Sequence, residues 1–378
     1  MSSVATPAGG RQFLALGIET SCDDTAASVV DAMFEGGVLK SARALSSEVW
    51  SQYDRHAEFG GVVPEIAARS HVERVDAVMS RAIAAAGVTV AEIDLVAATA
   101  GPGLVGGVMV GLSAAKGFAL ANGVPLVPVN HLEGHALSAR LTEDAAFPYL
   151  LLLVSGGHTQ LIEVSGLGAY RRIGTTIDDA AGEAFDKTAK LLSLGQPGGP
   201  RIESAAVAGR ADRFHMPRPL LNRQDCDFSF SGLKTAVRVI VEQEFAGGRL
   251  DGQAIADIAG GFQTAVAEHL AARTARAIAN AAFENRLLVV AGGVAANCEI
   301  KGALARVAGE AGWRLAFPPP KYCTDNGAMI ALAGAERFAA GLAPPMAEAL
   351  AFAPKARWPL APPIVGAEHG GGKKGPKA

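Results

Sequence analysis

The sequence predicts an α/β protein built from two similar halves, and three observations carry that reading. Strand-like apolar runs alternate with helical patterns, the arrangement that gives mostly parallel sheets flanked by helices. Two segments, residues 13–30 and 149–164, repeat one design: an apolar strand, a small polar turn and a second β-like run. The chain has 378 residues, 49% hydrophobic and 19% charged, enough for two domains with a core in each.

In the first half, the run from Phe13 to Ile18 leads through Glu19-Thr20-Ser21-Cys22-Asp23-Asp24 into a second run ending at Val30. This reads as a hairpin whose turn offers hydroxyls and backbone N–H groups. Residues 93–100 form a buried strand that ends in the glycine-rich stretch 101–107, which opens a helical pattern from Val108 to Leu120. The strand Val124 to Val129 delivers His131 at its end. The second half opens with its own hairpin around Ser155-Gly156-Gly157. Its later strand, Leu287 to Ala291, runs into Gly292-Gly293 at the start of a helical pattern. Such a turn cradles anions or nucleotides, and a glycine pair alone also fits an ordinary strand-to-helix turn. Two βαβ-rich halves, each opened by a polar hairpin, suggest a nucleotide-binding cleft between similar domains. That is the duplicated architecture of the actin, sugar-kinase and Hsp70 ATPase fold. The expected division is residues 13–130 and 131–360, the second carrying the metal site and an insertion, with the helix after Asp325 a candidate to pack back on the first. Residues 1–12 and 361–378 read as a disordered extension and tail.

Charge and cysteines narrow the function. The formal charge is −3, so no global basic field advertises nucleic-acid binding, and any RNA contact needs a local patch. Cys22, Cys226, Cys298 and Cys323 form no CxxC pair and read as reduced cytosolic thiols. The first twelve residues resemble neither a secretory signal nor a transit peptide, and no stretch of 18 clean apolar residues is seen. The expectation is a cytoplasmic protein without a membrane partner.

The segment His131-Leu132-Glu133-Gly134-His135 places two imidazoles one helical turn apart on one face, within reach of one metal ion. In zinc proteases a glutamate directly follows the first histidine; here that place holds Leu132, so a protease base is missing. Asp325, in Tyr322-Cys323-Thr324-Asp325-Asn326-Gly327, is the candidate third ligand. It would complete a two-histidine, one-carboxylate site suited to iron(II), or to zinc(II) as an open Lewis-acid centre. The same residues also fit a helix with capping or core histidines, and Asp325 also fits a helix N-cap.

The middle region, residues 174–235, breaks the symmetry and carries Arg201, Arg210, Arg213, Arg218 and Arg223 with Phe214, His215, Phe228, Phe230 and Lys234. Basic and aromatic residues together suit RNA backbone and base stacking, and equally a solvated loop over buried aromatics.

Ten ordered strings then identify a resemblance: GIETSCDDTAAS, FGGVVPEIAARSH, TAGPGLVGG, NHLEGH, LLVSGGHTQL, IDDAAGEAFDKTAKLL, PGGP, FSFSGLKTA, VVAGGVAAN and YCTDNGAMIA. They run from Gly17 to Ala331, and the chain resembles the TsaD tRNA N6-adenosine threonylcarbamoyltransferases, once labelled O-sialoglycoprotein endopeptidases. The resemblance implies transfer of a threonylcarbamoyl group from threonylcarbamoyl-AMP to the N6 amine of the adenosine just after the anticodon, in tRNAs reading codons that begin with A. It implies iron on His131, His135 and Asp325, a ligand-contacting loop at Leu153, Val154, Ser155, Gly156 and Gly157, and further nucleotide contacts at Asp186, Gly199 and Asn297. Glu203 stands at a contact position where relatives often carry Asp. Asp23, in the first hairpin, is the candidate for handling the amine proton or orienting the reaction, and also fits a turn-forming residue. A TsaB-like paralogue and a TsaE-like ATPase are the implied partners, with the Ala-rich helix Val72 to Ala86 a candidate docking surface. The rivals are a small-molecule kinase or ATPase on the same fold, a metalloprotease and a nucleotide-dependent scaffold. The histidines argue against the kinase, which needs oxygen-ligated magnesium.

Overall fold

The computed structural model describes residues 10–59, 61–245 and 250–362. The chain divides into two units: the first runs to Asp144 and resumes over Thr324–Leu360, the second spans Ala145–Cys323.

The first unit opens with β1 (Arg11–Glu19) and β2 (Asp24–Glu35), paired antiparallel with Gly17 opposite Ser28. β3 (Val38–Ala44) and β4 (Glu48–Ser51) both pair with β2. The short α1 (Tyr53–Ala57) and long α2 (Pro64–Ala86) precede β5 (Leu95–Gly101), which joins β1 in parallel. α3 (Val105–Asn122) returns the chain to β6 (Leu126–Asn130), parallel to β5, and α4 (His131–Leu137) follows at once. The sheet order is β3-β2-β1-β5-β6.

The second unit repeats this plan. β7 (Tyr149–Val154), β8 (Thr159–Gly166) and β9 (Ala169–Thr175) form an antiparallel meander. The helices α5 (Ala181–Leu191), α6 (Gly198–Ala206), α7 (Ser231–Glu244) and α8 (Gly252–Asn280) lead to β10 (Leu287–Ala291), parallel to β7. α9 (Cys298–Glu310) then connects to β11 (Arg314–Ala316), parallel to β10, and α10 (Pro320–Cys323) closes the unit. The order β11-β10-β7-β8-β9 is the first sheet's order with β4 left out, so the duplication is one of topology. The chain then re-enters the first unit through α11 (Gly327–Ala339) and α12 (Met346–Ala351).

Helices on both faces explain why β5 is buried throughout and β1 from Ala15 onward. Leu16 and Ile18 share a cluster with Val75, Val78 and Leu112 of α2 and α3. The alternate residue, Gly17, faces α11 so closely that any Cβ there would collide with the Gly327 carbonyl and Ala331.

The structure corrects three boundaries. The division between units falls after Asp144, not after Asn130, because α4 packs on α11 of the first unit, with Glu133 paired to Arg337 and Arg140 to Glu336. The candidate metal ligands His131, His135 and Asp325 therefore lie in the first unit and not the second. At the N-terminus, Arg11 and Gln12 belong to β1 rather than to an extension: they pair with Phe34 and Met33, and Gln12 Nε2 donates to Asp31 Oδ1 at 2.8 Å. At the other end Ala361 is buried. The remaining expectation of disorder, at residues 1–9 and 363–378, lies outside the described residues. α3 is long and apolar enough to cross a membrane by length and composition, which scanning for uninterrupted apolar runs missed because its glycines break the run. It packs on α2 and β5 with Gly107, Val108, Gly111, Leu112, Ala115 and Ala119 buried.

Candidate functional site

β6 ends where the first-unit site begins. Asn130 caps α4, its side-chain oxygen accepting from Leu132 N at 2.9 Å, so His131 and His135 occupy the first turns of a short buried helix. Their rings lie 4.7 Å apart, nearly perpendicular at 87°. Asp325 arrives from the far end of the sequence. The cap of α11 is Asn326, which accepts from Met329 N at 2.9 Å, and Asp325 turns to the histidines instead. Its Oδ1 is 3.1 Å from His135 Nε2 and 3.5 Å from His131 Nε2. All three donor atoms lie within 4.8 Å of one another.

These spacings fit one ion. Donors at ~2.1 Å from a metal, separated by tetrahedral or octahedral angles, stand about 3.0–3.4 Å apart, close to the Nε2–Oδ1 distances here. Two imidazoles and one carboxylate leave coordination positions open and suit a transition metal rather than magnesium.

Behind His131 lies a carboxylate to which sequence reasoning gave no role. Glu19 is fully buried, and its Oε2 is 2.9 Å from His131 Nδ1. Thr99 Oγ1 donates to the same oxygen and Ser21 N to Oε1, each at 2.5 Å. Burial disfavours the charged imidazolium of His131, but Glu19 and Asp325 outweigh it and lift the ring to about 9. The available signal was a glutamate inside an apolar strand, since glutamate is almost never fully buried without a partner.

The β1–β2 turn carries Cys22, Asp23 and Asp24. Asp23 is partly exposed at the turn. Its neighbour Asp24 is raised to about 7 by burial and by the charges of Asp23, Asp325 and Glu19, against a bond from Ser51. Burial, with Asp23 and Asp325, also pushes the Cys22 thiol well up.

The residues expected to contact a nucleotide lie in the second unit. Leu153 and Val154 are fully buried in β7, so only their main chain can meet a ligand. Ser155, Gly156 and Gly157 form the β7–β8 turn, closed by Ser155 N donating to His158 O at 2.8 Å. The start of α5 packs on this turn, Gly182 N donating to Ser155 O and Glu183 N to Gly156 O. Gly292, at φ +99°, sits against the Val154 carbonyl, where a Cβ would not fit. Asp186 Oδ1 accepts from Gly198 N at 2.7 Å, one residue before the half-buried Gly199. Asn297 caps α9 and donates to Gln263 Oε1 at 2.8 Å, and Glu203 Oε1 accepts from Cys298 N at 2.7 Å. The structure thus ties Asp186 to the α6 N-terminus and Glu203 and Asn297 to the α9 N-terminus.

The basic, aromatic stretch is different from the RNA surface it suggested. Phe228 and Phe230 are fully buried, stacked on each other and edge-on to His269, and so belong to the core. Arg210 and Arg213 pair with the buried Asp257, Arg213 also with Glu244, Arg218 with Glu268, and Arg223 with Asp225 and Asp227. Their charge is largely matched within the unit.

A twice-built five-strand order, with a two-histidine, one-carboxylate group at the end of β6, defines an α/β protein of the actin-like ATPase fold. HypF of T. kodakarensis shares that fold, with a TM-score of 0.53 at 17% identity, over 86% of this chain and 48% of HypF. The family model described as "TsaD: tRNA N6-adenosine threonylcarbamoyltransferase" matches residues 43–332. Proteins named tRNA N6-adenosine threonylcarbamoyltransferase are 55% identical in Caulobacter vibrioides, over 97% of this chain and 98% of the relative, and 55% identical in Rhizobium meliloti, over 96% and 99%. The chain belongs to the TsaD family.

Proposed function

We infer that this protein is a tRNA N6-adenosine threonylcarbamoyltransferase. It takes the threonylcarbamoyl group of threonylcarbamoyl-AMP to the N6 amine of the adenosine 3′-adjacent to the anticodon, in tRNAs reading codons that begin with A. The observation that carries this reading is the 55% identity to transferases of that name over nearly the whole chain. In the reaction, the N6 nitrogen attacks the carbamoyl carbonyl carbon, a C–N bond forms, the C–O bond to phosphate breaks, and AMP leaves with the electron pair. One amine proton must depart, and Asp23 is the residue assigned to accept it or to orient the amine.

His131, His135 and Asp325 would hold one divalent ion, iron(II) in preference to zinc(II). When bound, such an ion supplies Lewis-acid stabilisation of negative charge on oxygen. The turn at Ser155, Gly156 and Gly157, at the end of the strand carrying Leu153 and Val154, would contact the nucleotide, its phosphate taking the Gly156 and Gly157 N–H groups. Asp186, Gly199, Glu203 and Asn297 would bind the rest of the nucleotide. The proposed setting is the cytoplasm, with a TsaB-like paralogue and a TsaE-like ATPase as helpers. α2 remains the proposed docking surface, and its Val72 is 64% exposed.

The test is nucleoside analysis of tRNA from cells depleted of this protein. Threonylcarbamoyladenosine should disappear while other anticodon-loop modifications persist. Unchanged levels after complete depletion, with no second gene copy, would sink the assignment.

A further inference from the structure

We propose that Glu19 is a positioning residue for the metal centre: its buried carboxylate fixes the His131 ring so that Nε2 faces Asp325. The strand order creates this contact. β1, β5 and β6 lie side by side and parallel, and at their carboxyl ends stand Glu19, Thr99 and, just past Asn130, His131. The Glu19 Oε2–His131 Nδ1 distance of 2.9 Å sets Nδ1–H against the carboxylate, so a bound ion would take Nε2 in place of any proton there. Thr99 Oγ1 and Ser21 N clamp the carboxylate in turn, one on each oxygen, so it cannot rotate away. His135 has no such support: its buried Nδ1 has no hydrogen-bond partner among the described residues. The two histidines are therefore unequal, and His131 is the one whose orientation is built in. A glutamate buried only for packing would cost stability with nothing gained, since an apolar residue fills such a strand position better.

This inference rests on the reading that His131, His135 and Asp325 hold a metal. Both are tested together by titrating the full-length protein with Co2+ and following the d–d absorption, which reports ligand geometry without any need for activity. Wild type should bind with a spectrum lost in His135→Ala. Glu19→Gln should bind about 10–100-fold more weakly, with an altered spectrum, as expected for loss of an outer-shell carboxylate. Thr99→Val, which removes one clamp, should show a smaller weakening; it decides the matter if Glu19→Gln does not fold. Absence of Co2+ binding by wild type would overturn the metal reading and this inference with it. Binding by wild type with equal affinity and spectrum in Glu19→Gln, or in Thr99→Val where that variant decides, would overturn the role of Glu19 alone.

Discussion

Arg337 on α11 sets its Nη1 3.1 Å from both carboxylate oxygens of Glu133, the residue in the middle of the His131–His135 turn. The Glu133 side chain is almost fully buried. The pair ties the helix that carries both histidines to the helix that follows Asp325, and Arg140–Glu336 makes a second tie nearby. Removing one partner of a buried pair leaves the other charge without compensation, at about 3–5 kcal/mol. Glu133→Ala should therefore lower unfolding stability by about 3 kcal/mol in urea denaturation of the metal-free protein. A loss within experimental error would show that the pair does not hold the helices.

The metal reading predicts that His131→Ala/His135→Ala loses stoichiometric metal and transfer activity but retains a folded circular-dichroism spectrum. Elemental analysis of the purified double variant decides this. A full complement of metal would remove the site from consideration.

Asp24 gives a pH dependence of defined sign. Folding raises its carboxyl from 3.8 to about 7, so the folded state holds the proton more tightly than the unfolded chain. The penalty for ionising it is absent below the unfolded value, grows as pH rises and is complete above pH 7. Asp24→Asn should thus raise the Tm of the metal-free protein more at pH 8 than at pH 5. An equal or reversed difference would mean that the folded environment does not oppose the charge.

Arg213 should behave as a structural residue. Its guanidinium bonds the buried Asp257, whose carboxyl is held near 2 by the Arg210 backbone N–H, by Gln253 and by Arg213 itself. Arg213→Ala is expected to lower Tm while leaving the salt dependence of tRNA binding unchanged. A shallower salt slope with unaltered Tm would instead restore the arginine stretch as an RNA contact.

The strand–turn–strand repeat was legible in the sequence because buried parallel strands announce themselves as unbroken apolar runs ended by glycine or small polar residues. The closeness of His131 and His135 was legible because histidines four apart share a helix face whatever surrounds them. The division after Asp144 was not, since it depends on α4 finding α11 some two hundred positions later, a contact without local signature. The arginine stretch misled for a related reason. Charge spacing along the chain does not reveal acids on another helix, and Asp257 on α8 lies 44 positions beyond Arg213. Nor do Phe228 and Phe230 differ in sequence from exposed stacking aromatics; only packing against His269 separates the two uses.

The return of the chain to its first unit bears on how the protein is made. A ribosome that has completed β1 through α4 has delivered a sheet whose Gly17 face still waits for α11, and two histidines that still wait for Asp325. Nothing synthesised before residue 324 supplies either. The candidate metal site thus comes into being among the last events of the chain's biogenesis, and a polypeptide cut short within the second unit carries two of its three residues on an uncovered sheet.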